Sequence, residues 1–229
     1  MYRVGLVHVR TLDGQDRLRG LEHQALRDAA SWAPYEFLVI LVNGQTYGGG
    51  GIHGQYATVA ADNAFAPYLF IHEFAHHFAG LADEYYTSDV AYEGSKERVE
   101  PWEPNVTADP KGRKWAGLLS PALPLPTPWR KKEFEAYSQE IQRRRRQIRA
   151  ERRPEEVMDA LFREEEAFDT RLLGGDLHSG KVGTFEGANY EAAGVFRSQE
   201  DCIMFSRDPV PFCAACRRAL AAVIARHGR

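Results

Sequence analysis

The sequence predicts an α/β (α+β) fold, with a twisted mixed sheet, a buried helix and a charged helical insertion at 126–173, all within one domain over residues 1–229. Three observations carry this expectation. Short apolar, β-branched runs bounded by turn residues alternate with an amphipathic stretch near the start of the chain. A later helix, apolar over most of its surface, nevertheless carries three histidines and a glutamate. Between Pro128 and Leu173 charge dominates, yet apolar residues recur loosely at helical intervals.

Taken in order, Tyr2 to Val9 reads as a first strand. Arg19 to Trp32 places Leu21, Ala25, Leu26, Ala29 and Ala30 on one helical face, and Pro34 stops it. Glu36 to Val42 (EFLVILV) suits a buried central strand closed by Asn43 and Gly44. The run Tyr47 to Gly51 (YGGGG) is too glycine-rich for an element interior and predicts a bend, or a place where another backbone approaches. Tyr56 to Ala60 resumes a strand. Pro67 can open the next helix and Gly80 can close it.

Thr87 to Leu125 reads as packed loops, and Asn105-Val106-Thr107 spells a glycosylation sequon. The block from Pro128 to Leu173 predicts a helical hairpin or a long helix broken near Pro154. Its run Arg143 to Arg146 is flanked by acidic residues and reads as a solvated face, not an RNA-binding arm. A final amphipathic helix spans about Phe212 to Ile224.

The bulk numbers narrow the function classes. A chain of 229 residues can bury a full core without disulfide staples. The net charge of -3 gives no global field to attract nucleic acid, and no apolar stretch reaches the ~18 residues of a spanning helix. Neither nucleic acid nor membrane is therefore expected as a partner, and the oligomeric state stays open. Met1 to Val9 lacks the features of a signal peptide, so localisation is open too. Three cysteines, Cys202, Cys213 and Cys216, allow at most one disulfide unless a metal takes them, and one from Cys202 to either of the others would clamp the turn at Met204 to the last helix. The Cys213-x-x-Cys216 pair has no second pair to complete a four-cysteine zinc site.

His72-Glu73-Phe74-Ala75-His76 is an HExxH motif. Residues four apart lie on one helix face about 6 Å apart along the axis, so two imidazoles can converge on one zinc ion. Glu73 is displaced around the helix and is placed to act on a water as general base. A catalytic zinc wants a third protein ligand, for which Asp83 leads, with Glu84 and the distant Glu186 as rivals. His77, four after Glu73, can face it or simply pack.

The string HEFAHHFAGLADEYY at His72 to Tyr86 resembles the active-site signature of the bacterial IgA-peptidase-like metallopeptidases, a metzincin-like family of zinc proteases. The segments LVILVNGQTYGGGG, EPNVT with a following KW, GANYEAAGVFRSQEDCIM and FCAACRRAL add to the likeness, in order from about Ala29 to Leu220. The resemblance implies a metzincin-like zinc protease domain and a zinc-dependent endopeptidase. It implies His72, His76 and Asp83 as zinc ligands, Glu73 as base, and Met204 in a Met-turn that floors the metal. It also suggests a secreted or periplasmic protein. One departure stands out: Gly80 and Asp83 lie four and seven positions after His76, where metzincins at large have three and six.

An oxyanion donor is expected among Tyr190, Tyr85, Tyr86 and His178, with Tyr190 foremost. Two other classes remain open: a zinc-retaining, non-catalytic module that binds glycan or protein, and a scaffold built on the charged helices.

Overall fold

In a computed structural model, residues 23–87 and 99–227 are described. The chain divides into two compact units, residues 1–78 and 79–229. The expected strand at Tyr2 to Val9 lies outside the described residues.

The first unit contains helix α1 (His23–Ala30), strands β1 (Val39–Val42), β2 (Gly49–Ile52) and β3 (Tyr56–Ala60), and helix α2 (Ala66–Ala79), whose last residue opens the second unit. The sheet is mixed: β3 is central, parallel to β1 and antiparallel to β2, in the order β1-β3-β2. Gly54, at φ 69, turns the short β2–β3 connection, a conformation that favours glycine. Val59, Ala60 and Leu69 form the core between sheet and helix, with Val39, Tyr47 and Tyr68 against it.

Of the two readings of the glycine run, a bend or a close approach by another backbone, the second is the one found. Gly49 to Gly51 form most of β2, which at Gly49 and Gly51 lies against α2 too closely for a side chain. A Cβ on Gly51 would stand 2.2 Å from the Glu73 carbonyl oxygen and 2.6 Å from His76 Cβ. Composition marks glycine as a breaker; helix-on-strand approach is the competing reason for it.

The second unit holds β4 (Val106–Thr107), a 3-10 turn at Arg113–Leu118, α3 (Lys131–Ala150), α4 (Glu155–Gly174), β5 (Phe185–Ala188), β6 (Glu191–Arg197) and α5 (Ala214–His227). Its sheet is antiparallel in the order β4-β6-β5. The described residues thus form two small sheets of three strands each. Helices α3 and α4 form the expected hairpin, broken at Pro154, with Ile141, Met158, Leu161 and Phe162 buried.

The arginine run belongs to that hairpin. Arg143 pairs with Glu140 at 2.6 Å, Arg144 makes two bonds to Glu164 at 2.6 and 2.7 Å, and Arg145 lies over the Phe162 ring. Among the described residues no helix is long and apolar enough to cross a membrane.

Candidate metal centre and active site

Helix α2 carries the histidine pair. Gly80, at φ 60, adopts the left-handed conformation that ends a helix, as its position predicts. His72 and His76 lie one turn apart, with their Nε2 atoms 3.2 Å from each other. The Tyr68 hydroxyl meets the other ring nitrogen of His72, Nδ1, at 3.2 Å. That contact directs Nε2 of His72 toward His76, the arrangement a metal-binding imidazole needs.

Glu73, between them, is half-buried, and its side chain lies where Gly49 leaves room: a Cβ there would stand 2.7 Å from Glu73 Cγ and 2.9 Å from Oε1. Gly49 and Gly51 therefore let an edge strand cover this face of the helix without displacing its side chains.

His77 has a different task. The Leu38 amide donates to its Nε2 at 3.2 Å, which fixes the proton on Nδ1, and Nδ1 donates to the Ile52 carbonyl at 3.2 Å. It ties the approach to β1 and the end of β2 to α2. Burial pushes its pKa down, the His53 charge adding to the effect, so the neutral imidazole these bonds require is the favoured form.

In the second unit, the segment from Ala82 to Tyr85 is held from three sides. Asn105 bonds both the N–H and the C=O of Ala82, at 2.8 and 2.9 Å. The Glu84 amide donates to the Met204 carbonyl at 2.8 Å. On the third side, the Asn189 and Tyr190 amides donate to the carbonyls of Asp83 and Tyr85, at 3.0 and 3.1 Å.

Asn189 and Tyr190 form the two-residue tip of the β5–β6 hairpin, both with positive φ, 52 and 65. That is the type I′ geometry usually given to Asn-Gly. A tyrosine there carries a backbone cost of about 1 kcal/mol or more. What the position provides is reach: the Tyr190 hydroxyl donates to Asp83 Oδ2 and lies 3.4 Å from the Tyr85 hydroxyl. Asp83 is buried, and Met204 is wholly so.

The rival candidates are engaged elsewhere. Glu186, on β5, takes Lys131 at 2.9 Å and the Gly194 amide at 2.9 Å. Glu84 is buried among the three cysteines, which remain free thiols. Tyr86 is packed under Gly187, where a Cβ would stand 2.3 Å from its ring.

Asn105 is fully buried, so the Asn-Val-Thr sequence marks a structural clamp and not a glycan acceptor. The KW segment is structural too: Lys114 caps the carbonyls of Pro101, Glu103 and Val106, and the buried Trp115 donates to the Gly183 carbonyl at 3.1 Å.

Two groups of described side chains have the ligand atoms to hold a metal ion: His72, His76 and Asp83, and Glu84, Cys202, Cys213 and Cys216. The family model described as IgA Peptidase M64 matches residues 3–224, nearly the whole chain. The chain belongs to this family. It is therefore a metallopeptidase, a hydrolase acting on peptide bonds, with a polypeptide substrate and a metal cofactor. The family read from the HEFAHHFAGLADEYY string and its companion segments is confirmed. No curated protein matches the chain.

The sequence of this M64 peptidase marks Asn105 only as part of a sequon, and does not single out Arg197. Arg197 is fully buried, donates to the Gly187 and Glu200 carbonyls at 2.7 and 2.9 Å, and lies over the rings of Trp129 and Phe205.

Proposed function

We propose that this M64 peptidase is a zinc-dependent endopeptidase in which His72, His76 and Asp83 hold one catalytic ion and Glu73 is the general base. The reading is carried by the two Nε2 atoms 3.2 Å apart on consecutive turns of α2. Two nitrogen ligands of a tetrahedral zinc stand about 3.3 Å apart. Ordinary buried histidines bond to carbonyls or carboxylates; these two turn their Nε2 atoms toward each other. Tyr68 on His72 and Tyr190 on Asp83 supply the outer hydrogen bonds that orient ligands. In this reading Met204 forms the Met-turn that floors the metal, with no ligand role.

Zinc bound there supplies a Lewis acid that lowers the pKa of water and polarises a carbonyl oxygen. Glu73 takes the proton of the attacking water and delivers it to the leaving amine. Substrate backbone adds along β2, an edge strand of its sheet among the described residues. Tyr190 holds Asp83, and it serves as oxyanion donor only by exchanging that carboxylate for the substrate oxygen. The charged hairpin over 126–173 is an insertion in a single peptidase domain.

The test is removal and restoration of metal. Cleavage within peptides of a library should stop on chelation and return with zinc, but not in His76→Ala. Cleavage by the metal-free protein would overturn the proposal.

A further inference from the structure

The second group of metal-capable side chains lies wholly within the second unit and takes no part in the proposed chemistry. Glu84, Cys202 and Cys216 have no exposed surface and Cys213 only 2%. Their ligand atoms all lie within 4.8 Å of one another. The Cys202 and Cys216 sulfurs are 3.9 Å apart, nearly double the ~2.05 Å of a disulfide. Cys213 and Cys216 each reach the same carboxylate oxygen, Glu84 Oε1, at 3.3 Å.

These separations are those of a small tetrahedron. A zinc ion with ligands at about 2.3 Å (sulfur) and 2.0 Å (oxygen) spaces two sulfurs about 3.8 Å apart, and sulfur and oxygen about 3.5 Å apart. We propose that Glu84, Cys202, Cys213 and Cys216 form a second metal site, a structural one for zinc or another thiophilic divalent cation, separate from the histidine pair.

Four features support this beyond the spacing. The surroundings suit thiolates: the amides of Cys213 and Met204 point at Cys202 Sγ, at 3.2 and 3.4 Å. The Cys216 amide and the Ser198 hydroxyl point at Cys213 Sγ, at 3.4 and 3.1 Å. Cys213 directly precedes the fourteen-residue helix α5 and Cys216 lies in its first turn, where the helix dipole favours negative charge.

Glu84 gives the second. Asn105 donates to its Oε1 at 3.0 Å, as an outer hydrogen bond on a ligating carboxylate does. Its Oε2 is buried with no hydrogen-bond partner, a costly state for a carboxyl group that merely fills space. Third, three thiolates, one carboxylate and a divalent cation carry the same net charge as a four-cysteine zinc site, and the guanidinium of the buried Arg197 is among the charges that act with Glu84. Fourth, the ligands come from three separate parts of the chain. The ion would pin the segment just after Asp83 and the turn at Met204 to the start of α5.

Metal binding here is independent of the proposed catalytic ion, and the experiment keeps the two apart. Zinc content is measured after anaerobic purification without chelator, for wild type and for the His72→Ala/His76→Ala variant. Wild type should hold two equivalents and the histidine variant one. Cobalt substituted into the histidine variant should give the near-ultraviolet thiolate-to-cobalt charge-transfer band. Cys213→Ser/Cys216→Ser should lose that band and one equivalent. Because the cysteine variant can fail to fold, the cobalt spectrum of the histidine variant decides.

Absence of the band, with all three thiols reacting at once in the native protein, would overturn the proposal. So would two thiols lost to a disulfide. If the catalytic reading alone is wrong, wild type and histidine variant hold equal metal and the band persists.

Discussion

Replacing Gly51 by alanine adds one methyl group where β2 lies against α2. The new Cβ would meet the Glu73 carbonyl oxygen at 2.2 Å and His76 Cβ at 2.6 Å, where ordinary contact begins at 3.4 Å. Strand and helix must therefore part by about 1 Å, and neither neighbour is a flexible side-chain end. Gly51 pairs with Ala57 in the β2–β3 ladder, so the strand cannot retreat without loosening its hydrogen bonds. Overpacking of this kind costs about 1–3 kcal/mol. For a chain of this size each kcal/mol moves Tm by about 2–4 °C, so a fall of roughly 2–12 °C is expected. The displaced atoms belong to Glu73 and His76, and a misplacement near 1 Å can lower the cleavage rate about 10²-fold. Gly50→Ala is the control: its Cβ meets only Thr58 Oγ1, at 3.6 Å, and should stay within about 0.5 kcal/mol of wild type. Thermal unfolding and peptide cleavage are measured for both variants. If Gly51→Ala matches Gly50→Ala in Tm and rate, the close approach of β2 to the histidine helix is refuted.

Tyr190→Phe should weaken metal affinity about 10- to 100-fold, because Asp83 loses its outer hydrogen bond; full affinity with a lowered kcat would instead assign Tyr190 to the oxyanion. Asn105→Ala should cost about 3 kcal/mol, since it removes the bonds to Ala82 and Glu84 and leaves buried backbone groups without partners; an unchanged urea midpoint contradicts the clamp. Burial, helped by the Glu165 and Asp208 charges, pushes the Asp169 carboxyl up to about 8 from an ordinary 3.8. The fold keeps a proton that the unfolded chain releases, so this group's stabilising contribution is complete below about pH 4 and is lost as pH rises through 8. Asp169→Asn should therefore flatten the decline of urea stability between pH 4 and pH 8, and an equal slope in both proteins would argue against it.

The histidine helix was legible because its information is local. The i, i+4 spacing of His72 and His76, the opening Pro67 and the closing Gly80 all act within two turns of the residues they position. The hairpin α3–α4 was legible for the same reason, with Pro154 as its break. What could not be read came from contacts far apart in sequence. Gly49 and Gly51 carry no sign that they face Glu73 and His76 from a strand. Asn105 sits in a sequon that says nothing about burial. Glu84 reads as an ordinary acidic neighbour of Asp83, and Cys213-x-x-Cys216 as half of a missing site, because their meeting depends on packing across more than a hundred residues. The division into two small sheets was hidden by the shortness of β4, whose two residues show no alternation.

The measurement that bears most directly on the central claim compares Glu73→Gln with wild type, metal content and peptide cleavage being read on the same preparations. Glutamine keeps the size of the side chain but cannot take a proton from water. The account predicts full metal content and a kcat lowered about 10²- to 10⁴-fold. Cleavage by Glu73→Gln at the wild-type rate would contradict it.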